Sequence, residues 1–174
     1  MNAVYRTLFP IGVLACGLVM SMPADAALHQ TATFLNPAAG CQLSIPTTDT
    51  EVRPKATGFR NESTTKSAFV ICGYPRPTAD SMPADIELLV HSMDGSARTV
   101  NCTAVTGIDG LYPPVYSSKS VSSNTSSALV QWFPNDFGGT TTIPNGYHVS
   151  VTCTLPPQTS IIALGSLIFV EIGN

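Results

Sequence analysis

Alternation with period two dominates the chain beyond residue 26. The clearest run is Tyr147 to Leu155, where Tyr147, Val149, Val151, Cys153 and Leu155 fall on one face and His148, Ser150, Thr152 and Thr154 on the other, as in a half-buried strand. Further strands are predicted at Thr31–Leu35, Gln42–Ile45, Thr57–Arg60, Ser67–Cys72, Ile86–Met93, Ser96–Val105, Val115–Val121 and Ala128–Phe133. Ile161–Ile172 is apolar on both faces around Gly165 and reads as a central strand. Pro, Gly, Asn and Asp fall between these runs, and no helical stripe is present. Asp94-Gly95 reads as a two-residue hairpin turn that sets Leu89 opposite Val100 and Glu87 opposite Cys102. Asn145-Gly146 reads as a second tight hairpin, and Ser117–Ser127 as a hairpin with a polar tip. Nine or ten strands result, an all-β antiparallel sandwich of jelly-roll or immunoglobulin-like type.

The first residues read as an export address. Met1–Arg6 is a short basic region, Leu8–Met20 is an apolar stretch too short to span a bilayer, and Ala24-Asp25-Ala26 is an A-x-A cleavage pattern. Residues 1–26 are therefore expected to be a signal peptide and 27–174 a single domain, secreted or periplasmic. Val13-Leu14-Ala15-Cys16 loosely resembles a lipoprotein site, but Leu14 fits poorly and apolar residues continue past Cys16. No later stretch is long enough for a transmembrane helix.

Composition narrows the function. Charged residues make up 11% of the chain, against about 25% in an average soluble domain, so Ser, Thr, Asn and Pro supply the polar surface. The net charge of −3 provides no basic field for a nucleic-acid backbone or an anionic membrane. Beyond Cys16, four cysteines remain, Cys41, Cys72, Cys102 and Cys153, an even number that reads as two disulfides in an exported chain. Three connectivities are open, and the strand pattern favours Cys41 with Cys72 and Cys102 with Cys153. No C-x-x-C motif supports a zinc or redox site.

Several short motifs carry a resemblance. Gly-Phe-Arg-Asn-Glu-Ser at Gly58–Ser63, Asn101-Cys102-Thr103, Cys153-Thr154-Leu155-Pro156-Pro157 and Ser160-Ile161, in this order with the Cys41 and Cys72 strands, resemble small, uncharacterised secreted four-cysteine proteins of Gram-negative bacteria. Cys72-Gly73 departs from the Cys-Pro of that group. The resemblance implies export, two disulfides and a sandwich, and it carries over no catalytic residue.

Candidate chemistry is sparse. There is no G-x-S-x-G, and Ser92, His91 and Asp94, close in sequence, alternate faces on a strand and form no local triad. His29, His91 and His148 show no metal-ligand spacing, the 47–51 and 80–85 loops lack a D-x-D-x-D-G calcium pattern, and no metal or cofactor is expected. Asp49, Glu51, Asp80, Asp85, Glu87, Asp94, Asp109, Asp136 and Glu171 are the acids from which a glycosidase pair would be drawn. Asp94, Asp109 and Asp136 are explained by turns, and Glu171, in an apolar strand, calls for an ion-pair partner such as Arg53, Arg60 or Arg98. N-x-S/T triplets at Asn61, Asn101 and Asn124 matter only in a glycosylating host.

The aromatic loops are the more informative feature. Tyr112-Pro113-Pro114-Val115-Tyr116 and Trp132-Phe133-Pro134-Asn135-Asp136-Phe137 offer rings that stack on sugars and polar groups that bond hydroxyls. The ligand set expected on this basis is Tyr112, Tyr116, Trp132, Asn135, Asp136 and Phe137, although a lone Trp in a sandwich also serves as core. The leading reading is a non-catalytic exported binding module for extracellular or cell-surface carbohydrate. The alternatives are an adhesin-type envelope assembly subunit using Ala27–Leu35 as a donor strand and an envelope protein as partner, and a secreted glycoside hydrolase.

Overall fold

The computed structural model describes residues 27–44, 51–76, 81–124 and 126–172. Eleven strands lie among them: β1 Ala27–Leu35, β2 Cys41–Leu43, β3 Val52–Lys55, β4 Gly58–Asn61, β5 Ala68–Tyr74, β6 Met82–Ser92, β7 Arg98–Ile108, β8 Tyr112–Ser123, β9 Ala128–Trp132, β10 Val149–Leu155 and β11 Thr159–Ile172. All strand pairs are antiparallel. One sheet runs β3-β4-β11-β6-β9, with β1 added to β11, and the other β2-β5-β10-β7-β8. The β11 strand is central, as its apolar sequence requires: β6 pairs along one side, while β4 and β1 share the other at its two ends.

The two sheets meet through the buried residues of the alternation. Val52, Phe59, Ile86, Leu88, Val90, Val130, Trp132, Ile161 and Leu164 from the first sheet pack with Val70, Val100, Ala104, Val149, Val151 and Leu155 from the second, a sandwich core of interdigitated inner faces. Both disulfides form as the strand pattern favours, Cys41–Cys72 and Cys102–Cys153. Each joins direct register partners on neighbouring strands of the second sheet, β2 to β5 and β7 to β10.

Three predicted hairpins are corrected. At Asp94-Gly95 the chain crosses from the first sheet to the second, so Leu89 pairs with Ala163 and Leu129, and Cys102 with Cys153 and Lys119. The Asp94 carboxylate organises the crossing by accepting from Ser96 N–H at 2.9 Å and Ser92 Oγ at 3.0 Å. The Ser117–Ser127 segment likewise crosses between sheets, since β8 and β9 lie in different ones. Asn145 has the expected positive φ of 54°, but no strand runs into it from the N-terminal side, and Tyr147 and His148 lie ahead of β10. Tight hairpins occur at Lys55–Gly58 and around Asp109-Gly110.

Ala27–Leu35 is not a free donor arm, because it pairs with β11 of its own chain. Glu171 lies in β11 opposite Leu28, and its side chain is outside the described residues, as are Asp49, Asp80, Ile45, Cys16 and the 1–26 segment.

Candidate functional site

The predicted ligand set is divided by the fold. Trp132 is fully buried, opposite Ile86 on the inward row of β9, and its indole N–H donates to the Ser117 carbonyl at 3.0 Å. Phe137 is buried in the single 3-10 turn Pro134–Phe137. Neither ring can meet a ligand, because the pleat that places Val130 inward places Trp132 there too. Asp136 is structural: it accepts from Phe133 N–H at 2.8 Å and holds the Lys119 ammonium at 2.7 Å. Asn135 remains exposed beside it, and of the six only Tyr112 and Tyr116 are exposed rings.

The outer face of the second sheet gathers what the loops do not. Three rows cross it through the strand register. Phe69, Thr154, Asn101 and Ser120 form one, Ile71, Thr152, Thr103 and Ser118 the next, and Gly73, Ser150, Val105 and Tyr116 the third. Phe69 and Tyr116 are 54% and 67% exposed and stand at opposite corners, three strand spacings and four residues apart, roughly 20 Å on the diagonal. Between them lies a trough of about 390 Å³ with a floor of threonine, serine and asparagine. Its hydroxyls are already ordered: Thr103 Oγ1 and Ser118 Oγ are 2.8 Å apart, and Ser120 Oγ donates to Asn101 Oδ1 at 2.6 Å.

No carboxylate lines the trough. Lys119 borders it, but its ammonium is held at the sheet edge by Asp136 and by the Gln131 carbonyl at 2.8 Å. Charge is concentrated elsewhere, most densely at the β3–β4 hairpin, where Arg53 at 2.7 Å, Lys55 at 3.4 Å and Arg60 at 4.0 Å surround Glu62. The Arg53 hydrogen bond there holds the Glu62 carboxyl below its ordinary range.

A second depression of about 650 Å³ adjoins the trough along β10, passing from Thr152 to Ser150 and on to His148. It is bordered by Tyr147, which stacks on Tyr112 with ring centres 5.6 Å apart, and Arg76 lies 4.4 Å over the Tyr147 ring. Tyr74 at its base donates its hydroxyl to the Glu87 carbonyl at 2.7 Å. Burial pushes that phenol far above its usual pKa, the nearby Glu87 charge adding to the shift, so it acts as a fixed donor.

Of the acids considered for hydrolysis, those among the described residues line neither depression. Asp85 caps the β11 bulge by accepting from Leu167 N–H at 3.0 Å and also takes the Gln131 amide at 3.1 Å. Among the described residues no group of three His, Cys, Asp or Glu side chains comes together to hold a metal. Of the N-x-S/T asparagines, Asn61 is fully buried, while Asn101 belongs to the trough.

Sequence reasoning missed Phe69, Thr152 and Thr154. The signal was present: Phe69 stands at the outward position between inward Ala68-Val70 and Cys72, where a polar residue is the norm.

The sequence matches no family and no curated protein. Among solved structures it is similar to a xylan-binding module, CBM15, with 13% identity and a TM-score of 0.44 over 83% of this chain and 100% of that one. It is also similar to a family 11 carbohydrate-binding module from Clostridium thermocellum in complex with a beta-1,3-1,4-mixed-linked tetrasaccharide, with 12% identity and a TM-score of 0.35 over 88% and 92% of the two chains.

Proposed function

We propose that the chain is a non-catalytic module that binds neutral carbohydrate on the outer face of its second sheet. The observation that carries this reading is the trough itself, a hydroxyl and amide floor without carboxylates between the exposed rings of Phe69 and Tyr116. A pyranose ring has apolar C–H faces and an equatorial rim of hydroxyls. The first suit exposed rings, and the second suit side chains such as Thr103, Ser118 and Thr152 that both donate and accept. A floor without carboxylates, whose bordering lysine is already paired with Asp136, carries little desolvation penalty when a neutral ligand covers it. Trp132, withdrawn into the core, has no part in this site. The two disulfides fit an oxidising compartment outside the cytoplasm, and no helix among the described residues is long and apolar enough to cross a membrane.

The test is affinity electrophoresis followed by calorimetry against soluble xylan, mixed-linked β-glucan and a polyuronate as the charged comparison. Retention by a neutral polysaccharide is expected, and Tyr116→Ala and Phe69→Ala should each weaken it by about tenfold, as loss of an anchoring aromatic contact does. Retention undiminished in the double variant, or no retention by any neutral glycan, would overturn the proposal.

A further inference from the structure

The free edges of the two sheets differ in how they are protected. Edge strands left bare invite pairing with another chain, and proteins blunt them with proline, charge, bulges or brevity. The β2 edge has only three residues. The β3 edge carries Arg53, Pro54 and Lys55. The β9 edge is five residues long and runs into Pro134. The β8 edge opens with Pro113-Pro114, and its Ser117 carbonyl is occupied by the Trp132 indole. The β1 edge has none of these devices. Its nine residues contain no Asp, Glu, Lys, Arg or Pro, and they pair with β11 in one unbroken register from Ala27 to Leu35. Along it, Leu28 and Phe34 are 64% and 75% exposed.

We infer that β1 is the pairing edge for a second copy of this chain. A two-fold axis normal to the sheet through Thr31 makes the strand antiparallel to itself. It sets Leu28 of each copy opposite Phe34 of the other, Gln30 opposite Ala32, and His29 opposite Thr33. Both large exposed side chains are then covered twice, on the same outer face of the first sheet, while the outward backbone groups of β1 complete a ladder. No charge opposes its own image in this arrangement, as a self-complementary interface requires. The joined sheets become one continuous sheet across the axis, and the trough of each copy, on the other sheet, stays open.

The test is sedimentation velocity on the full chain produced in an oxidising compartment, from micromolar to submillimolar concentration. A concentration-dependent shift from monomer to dimer is expected. Phe34→Lys should raise the dimer dissociation constant by at least about tenfold through loss of two cross-strand contacts. Its unfolding should stay unchanged when followed by Trp132 fluorescence, since Phe34 is exposed in the monomer. Adding Leu28→Glu to Phe34→Lys should restore the dimer, because the register places the new charges opposite each other. A wild-type chain that stays monomeric, a Phe34→Lys chain that dimerises as well as wild type, or a double variant no better than the single would each overturn the inference. Glycan retention by the monomeric variant separates this result from the proposed function, because Phe34 and the trough lie on different sheets.

Discussion

Asn61 offers a sharp test of how the two sheets are tied together. It closes β4 and is fully buried, and the two hydrogens of its amide nitrogen are shared among the carbonyls of Lys66 at 2.8 Å, Leu155 at 3.0 Å and Pro156 at 3.0 Å. Its oxygen accepts from Ser63 N–H at 3.1 Å. One side chain thus joins the end of β4 to the approach to β5 and to the β10–β11 connection. In Asn61→Asp the shape and the Ser63 contact are kept, but a second oxygen replaces the donor and faces three carbonyls. The two amide hydrogens are replaced by at most one, on the protonated acid, and losing a donor while leaving a buried carbonyl unsatisfied costs about 1–3 kcal/mol, so the variant should be about 2 kcal/mol less stable than wild type at pH 3. Ionising the buried carboxyl is opposed by desolvation and by the carbonyl dipoles, which raise its folded pKa above the unfolded value near 4. The folded state then binds more protons than the unfolded state, so stability falls as pH rises from about 4 to the folded pKa. By pH 7 the carboxyl is under pressure to ionise against buried carbonyl oxygens, and an uncompensated buried charge costs about 3–5 kcal/mol, a large share of the stability of a single domain. The assay is guanidinium unfolding followed by Trp132, the one tryptophan of the chain, at pH 3, 5 and 7. A loss below about 1 kcal/mol at pH 7, or one that does not change with pH, would refute the reasoning.

Two further outcomes follow from covalent and ionic features. Removing the Cys102–Cys153 bridge, which closes 51 positions, with Cys102→Ala and Cys153→Ala should lower stability by about 4 kcal/mol on the chain-entropy account; a loss under about 1 kcal/mol in chemical unfolding would contradict it. Asp94 is held down to about 2 by the Ser96 N–H, with help from Ser92 and Arg98. Its contribution to stability is therefore present above the unfolded carboxyl pKa and lost as pH falls towards 2, and an NMR titration of the Asp94 carboxyl with a midpoint near 4 would contradict this.

Most strands were legible because alternation is a local signal, while β3, four residues around Pro54, and the first half of β1 lie outside the strands that alternation predicts. In β10 the inward set Val149, Val151, Cys153 and Leu155 is buried as read from sequence, and the favoured cysteine pairing follows from strands that are neighbours. The connections were not legible. Asp94-Gly95 and Asp109-Gly110 present the same dipeptide, yet one crosses between sheets and the other closes a hairpin. Turn chemistry fixes a reversal of direction, while the choice of sheet is made by distant partners such as Leu129 and Ala163 for Leu89. The site was half legible for the same reason. Tyr116 stood out as an exposed ring, but the threonines beside it come from β7 and β10, brought level by pairing that no local pattern records.

The placement of the two disulfides has a mechanical consequence. Cys41–Cys72 welds β2 to β5, and Cys102–Cys153 welds β7 to β10, so four of the second sheet's five strands form two covalent panels. The seam between them is the β5–β10 ladder, held by seven register pairs and no covalent link. A load pulling sideways across the sheet is borne by sulfur on either side and by hydrogen bonds alone along this line. Phe69 stands on one panel and Thr152 and Thr154 on the other, so the trough straddles the seam. A ligand lying across it would act as a splint, and pulling on that ligand would strain the joint it bridges.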